Sequence, residues 1–232
     1  MRNLLVLYCL VTGITSTFAQ FATIGDAEHM AGSCIKLTND QRYSEGIAYS
    51  TTTLDLTKSF QIEFDIYLGD KDDFGADGIT FVIHNDARGF EAFGTFGEFM
   101  GYGGRDSNFG SAHIAPSIAI EFDTYQNYWQ NDPSSDHIAY LENGSNRHSQ
   151  FWNNNDEDFN LEDDRLHSFR FRWNPQTHNI TVYLDGITVY EGNRDLIQDV
   201  FNGNTQVIWG FTASTGNKHN LQYFCFRRIA RL

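Results

Sequence analysis

Between Phe60 and Leu68 the chain alternates without a break. Phe60, Ile62, Phe64, Ile66 and Leu68 take one side of an extended segment, and Gln61, Glu63, Asp65 and Tyr67 take the other. A period of two marks a strand with one buried and one wetter face. The same beat returns in Phe169, Phe171 and Trp173 against Ser168, Arg170 and Arg172, and in Ile180, Val182 and Leu184 against Thr181, Tyr183 and Asp185. Asp185-Gly186 then supplies a tight hairpin turn into a strand at 187–190. Further strands are expected at 34–37, 46–50, 78–84, 117–124, 137–141, 206–213 and 221–229. A helical pattern shows only at 195–201, where Leu196, Ile197, Val200 and Phe201 share a side. Pro116, Pro133 and Pro175 fall at loops or strand edges. No linker or internal repeat divides the chain. Many strands and almost no helix imply an all-β fold of antiparallel sheets, packed as a sandwich or jelly roll. A length of 232 residues suits one such domain.

The first residues read as a signal peptide over 1–19. Arg2 gives a positive start, residues 4–11 an apolar centre, and Thr17-Phe-Ala19 a small-residue cleavage site before Gln20. The apolar run is too short to span a bilayer, and no later stretch reaches the roughly 20 residues a span needs. The expected localisation is therefore secreted: extracellular, periplasmic or at the cell surface. Residues 20–232 form the expected single domain. Arg2 is the only charged residue in 1–19, so 15 basic residues then stand against 30 acidic ones. That surface repels phosphate backbones and argues against a nucleic-acid partner. Of three cysteines, Cys34 and Cys225 remain. They are either a disulfide, which requires the first and last strands to be neighbours, or two buried thiols.

The chemistry concentrates between Glu121 and His137. Along a strand at 117–124, Ile118, Ile120 and Phe122 face a core, while Glu121, Asp123, Tyr125 and Asn127 face the other way. Two carboxylates at adjacent same-face positions repel unless a cation lies between them. A turn at Asn131-Asp132-Pro133 would carry Asp132 and His137 back beside Glu121 and Asp123. Oxygen ligands from Asp123, Asn127, Asp132 and a backbone carbonyl suit Ca²⁺. Glu121, Asp123, Asp132 and His137 suit Mn²⁺ or another transition metal such as Zn²⁺. A solvated acidic loop with a surface histidine is the plain alternative.

The run Glu121-x-Asp123-x-Tyr125-x-Asn127-x₄-Asp132-x₄-His137 resembles the metal loop of the legume (L-type) lectins in residue type and closely in spacing. Three further stretches agree in order: Ala76-Asp77-Gly78-Ile-Thr-Phe-Val-Ile, the glycine-containing loop at 97–102, and Trp209-Gly-Phe-Thr-Ala-Ser-Thr-Gly216. The wording at 76–86 and 121–127 is most similar to the bacterial-type branch. The resemblance runs from about residue 30 to the end.

It implies a concanavalin A-like antiparallel β-sandwich and a carbohydrate-binding lectin without catalysis. Ca²⁺ would take the side chains of Asp123, Asn127 and Asp132 and the carbonyl of Tyr125. The second ion would take Glu121, Asp123, Asp132 and His137. The Ala76–Asp77 bond would be cis. Asp77 would accept from two sugar hydroxyls, Asn127 would bridge calcium and sugar, and Tyr125 would lie under the sugar's C–H face. A backbone N–H near Gly97 or Glu98 would complete the cradle, although Glu98 replaces the second glycine usual there and narrows or recharges the pocket. Asn217 and Lys218 would form the rim that sets sugar preference. Monosaccharide pockets bind weakly, so a homo-oligomer would add useful avidity.

Two other classes compete. Some hydrolases on this sandwich carry Glu-x-Asp-x-Glu on one strand, but Tyr125 stands where the second glutamate belongs. A structural or adhesive module could also keep the metals for stability alone. The leader reading makes a direct prediction: chain recovered from a secreting host should begin at Gln20, read by intact mass and N-terminal sequencing.

Overall fold

The structure is a computed structural model and describes residues 20–105, 112–147 and 150–232; the expected leader at 1–19 lies outside them. Fourteen strands follow in order among the described residues: β1 (Phe21–Gly25), β2 (Glu28–His29), β3 (Cys34–Thr38), β4 (Glu45–Ser50), β5 (Leu54–Asp55), β6 (Phe60–Tyr67), β7 (Gly78–His84), β8 (Ser117–Asp123), β9 (His137–Glu142), β10 (His167–Asn174), β11 (Asn179–Leu184), β12 (Ile187–Asn193), β13 (Gln206–Ser214) and β14 (Gln222–Arg231). One sheet runs β1-β4-β13-β7-β8-β9, with β5 also on β13; the other runs β12-β11-β10-β6-β14-β3-β2. Each pairing is antiparallel. No helix among the described residues is long and apolar enough to cross a membrane.

The alternating segments do what their period requires. β6 and β10 pair in register, Phe64 opposite Phe169 and Phe60 opposite Trp173, and their apolar faces are buried. Phe64 is the hub of the core. Its ring centre lies 4.6–5.9 Å from those of Phe81, Phe169, Trp209, Phe211, Phe224 and Phe226. Such offset and edge-on pairs add to the area the rings remove from water.

β7 and β8 are buried at every position, on both faces. Ile79, Phe81, Ile83, Ile118, Ile120 and Phe122 enter the core between the sheets. The opposite face is covered by the long β7–β8 connection. There Val82 and Ala119 pack with Ala92, Tyr102 and Ile114 in a second apolar cluster. Glu121 and Asp123 belong to that covered face.

Cys34 and Cys225 face each other across β3 and β14 and are bridged. The first and last regions are therefore neighbours, as a bridge demands. The strands at β1, β2 and β5 were not expected; they are short edge pieces held by pairing rather than by an alternating pattern. The expected helix at 195–201 is one wide turn, Leu196–Val200, with the Asp195 carboxylate accepting from Gln198 N–H at 3.0 Å.

Phe64→Ala should lower unfolding free energy by about 3–5 kcal/mol, since the surrounding rings cannot collapse into the space. Denaturant titration would read this as a shifted midpoint at constant slope; a loss below about 1 kcal/mol would place the hub elsewhere.

Candidate functional site

β8 ends at Asp123 and β9 begins at His137, and the register sets these two directly opposite one another. Glu121 lies two residues back on the same face. Ligand atoms of Glu121, Asp123 and His137 all fall within 4.8 Å of one another, and all three residues are buried. Asp132 returns from the intervening loop with its Oδ1 3.8 Å from His137 Nε2. Its Oδ2 accepts from the backbone N–H of Asn127 at 2.7 Å, and Asp123 Oδ1 accepts from Tyr125 N–H at the same distance. The loop is thus wound around its own carboxylates. Asn146 adds a wall by donating from Nδ2 to Glu121 Oε1 at 2.8 Å.

The electrostatics of this cluster are one-sided. Burial pushes Glu121 up to about 8, with the Asp132 charge adding to it and the Asn146 hydrogen bond opposing it. Burial, then the charges of Glu121 and Asp132, raise Asp123 well above the usual carboxylate range. Burial also carries Asp132 to about 6. Carboxylates packed this closely stay ionised together only if a cation joins them. The donor set fits that demand. Three carboxylates and an imidazole converge, and Asn127 Oδ1, buried with no hydrogen-bond partner, is the hard oxygen a Ca²⁺ ion takes.

Asp77 stands on the adjacent strand end. The Ala76–Asp77 bond is cis. The backbone N–H of Asp77 donates to Ser214 O at 3.1 Å, and its carbonyl accepts from Thr124 N–H at 3.0 Å. The residue is strapped between the end of β13 and the residue after Asp123. Gly78 must be glycine: a β-carbon there would lie 2.2 Å from the Phe122 carbonyl oxygen. Asp77 is 6 % exposed, and its Oδ2 has no hydrogen-bond partner. Burial, aided by the charge of Glu98, pushes it up to about 7. Gly216 closes over it, with a β-carbon position 3.4 Å from Oδ2.

Tyr125 is exposed within the loop. Gly97 sits in the left-handed region at φ 65°, and its carbonyl accepts from Ser214 Oγ at 3.0 Å. The Glu98 carboxylate accepts from Trp129 Nε1 at 2.9 Å and pairs with Arg105 at 3.4 Å, and its carbonyl accepts from Gln130 Nε2 at 2.8 Å. Asn217 Oδ1 accepts from Tyr43 O–H at 2.8 Å. Lys218 turns towards the chain on the other side of the rim. Its ammonium donates to Asp73 O at 2.7 Å and sits 4.1 Å from the Phe74 ring centre. Sequence reasoning missed Tyr43, Asn146 and Glu162. Glu162 is buried, pushed up to about 9 by burial, and bonded to Asn220 just beyond the rim loop. The sharing of one face by Glu121 and Asp123 points only to the need for a partner such as Asn146.

A family profile described as the legume lectin β-barrel domain (L-type lectin domain) matches residues 14–228. Among solved structures, lectin I-B4 from Griffonia simplicifolia in its metal-free form is 23 % identical, with 96 % of each chain covered and a TM-score of 0.72. The Bauhinia forficata lectin in complex with GalNAc is 20 % identical over 94 % of this chain and 95 % of that one, TM-score 0.73. The basic winged bean lectin with Tn-antigen is 22 % identical over 89 % and 90 %, TM-score 0.69. At these identities the structures show that the fold is shared.

The raised carboxyls have a measurable consequence. Between the unfolded carboxylate range near pH 4 and the folded values of about 6 for Asp132, 7 for Asp77 and 8 for Glu121, the folded chain holds protons that the unfolded chain has released. Stability therefore falls as pH rises through that window. In chelator, the thermal midpoint should be several degrees lower at pH 8 than at pH 5. Added Ca²⁺ with Mn²⁺ should reverse this and release protons. A midpoint in chelator that is flat or rises with pH would contradict the assignment.

Proposed function

The chain belongs to the L-type lectin family, and from that membership we propose that it is a secreted, non-catalytic lectin that grips a sugar over Asp77 and Asn127. The observation that carries this reading is the state of Asp77. A nine-tenths buried carboxyl is strapped in place by its own backbone, with one oxygen left unpaired beneath Gly216. A buried acceptor without a partner costs stability unless a ligand supplies the donor. Neighbouring hydroxyls on a sugar ring are such donors, and two of the structurally similar lectins hold sugars.

Ca²⁺ would be held by Asp123, Asn127, Asp132 and the carbonyl of Tyr125, and Mn²⁺ or another transition metal by Glu121, Asp123, Asp132 and His137. Their positive charge would allow the buried carboxylates to ionise and hold the 123–132 loop in its binding shape. Asn127 then offers its amide N–H to the sugar while its oxygen faces the ion. Tyr125 supplies an apolar surface for a C–H face. The disulfide fits an oxidising compartment outside the cytosol.

A hydrolase reading loses support from the same geometry. Glu121 and Asp123 are 0 % and 2 % exposed and lie beneath the loop, where neither meets a glycosidic bond. A module with metals for stability alone would have no use for an unpaired Asp77 oxygen.

Glycan binding measured on an array should vanish after exhaustive EDTA treatment and return with Ca²⁺ and Mn²⁺; binding that survives metal removal would overturn the mechanism. Asp77→Ala should cost about 100-fold in affinity, two hydrogen bonds to a charged acceptor at roughly tenfold each, with the far-ultraviolet spectrum unchanged. A variant that still binds tightly would mean the sugar sits elsewhere.

A further inference from the structure

Beside Glu98 the surface opens into a hollow of about 400 Å³ lined by Phe99, Arg105, Trp129, Ser145, Asn146 and Arg147. It adjoins the metal centre, because its Asn146 wall is bonded to Glu121 and its Trp129 belongs to the loop between Asp123 and Asp132. Glu98 links it to Asp77. The charge of Glu98 acts on the Asp77 carboxyl, while its side chain holds the Trp129 indole N–H and the Arg105 guanidinium.

Three features give the hollow a chemical character. Trp129 is 48 % exposed, yet its ring is fixed at both ends, by the hydrogen bond to Glu98 and by the buried Phe99 ring 5.4 Å away. A fixed, half-exposed indole is a platform for the C–H face of a sugar ring. Two arginines converge there in a chain whose net charge is −14. They differ in state: Arg105 is engaged by Glu98, whereas the exposed Arg147 guanidinium makes no hydrogen bond or ion pair among the described residues. A planar fork of donors beside a stacking ring matches a flat or tetrahedral anion carried on a sugar.

We propose that this hollow binds an acidic sugar unit, the neighbour of the unit held at Asp77, with its carboxylate or sulfate on Arg147 and its ring on Trp129. The inference rests on the lectin reading and specifies its ligand class: an acidic glycan rather than a neutral one. Ser145 offers a hydroxyl for the same unit, and Glu98 keeps the acid group on the Arg147 side by repelling it from Asp77.

The test uses the processed full chain loaded with Ca²⁺ and Mn²⁺, and oligosaccharides in matched pairs. One arm compares glucuronate-bearing sugars with their carboxyl-reduced, glucose-bearing counterparts; the other compares sulfated sugars with desulfated ones. We expect about tenfold tighter binding of the acidic member in one arm, which identifies the anion. Arg147→Gln should bring that member down to its neutral partner, and Arg147→Lys, which keeps the charge but not the fork, should fall between. Equal binding within both pairs, with neutral sugars bound in an Asp77-dependent way, would overturn this inference and leave the lectin reading standing. So would an acid preference that Arg147→Gln leaves intact. No binding to any member, acidic or neutral, would overturn the lectin reading and this inference together.

Discussion

The burial of β8 on both faces is the constraint from which the rest follows. One face must enter the core between the sheets, and Ile118, Ile120 and Phe122 do so. The other is sealed by the β7–β8 connection, yet it carries Glu121 and Asp123. Carboxylates in that position are tolerable only when neutralised. The surrounding chain is arranged to that end. Antiparallel register brings His137 opposite Asp123, the loop folds Asp132 back, and Asn146 satisfies one oxygen of Glu121. The close approach that Gly78 permits then sets Asp77 beside the same cluster.

Much of this was written in local patterns. The beats at Phe60–Tyr67 and His167–Asn174 specify strands and their buried faces, because a period of two has one geometric solution. Glu121 and Asp123 share a face for the same reason. What stayed hidden depends on contacts between distant segments. Asn146 reaches Glu121 across 25 residues and Tyr43 reaches Asn217 across 174, and neither lies in a periodic segment. Lys218 has a flexible side chain whose partners, here the Asp73 carbonyl and the Phe74 ring, its position in the sequence does not encode. The strands β1 and β5 escaped notice because pairing to β4 and β13, rather than their own sequence, makes them extended.

Glu98 shows how one side chain can organise a stretch of surface. This carboxylate is held in place by Trp129, Arg105 and, through its backbone, Gln130. Its charge makes the Asp77 carboxyl harder to ionise, so the same side chain that braces the wall of the hollow also tunes the central acceptor. The Asp77 carboxyl and the neighbouring hollow are thereby coupled through a single residue rather than through a shared loop movement.

The bridge from Cys34 to Cys225 encloses 191 residues of separation, nearly the whole domain, between β3 and β14. A protease that cuts once inside this ring yields two pieces that remain covalently joined and still paired through both sheets. The cleaved molecule cannot separate, and it keeps Asp77, the loop from Asp123 to His137 and the Gly216 turn within one linked assembly. Wherever a protease reaches the folded chain, nicking in a surface loop would become a survivable event rather than a terminal one.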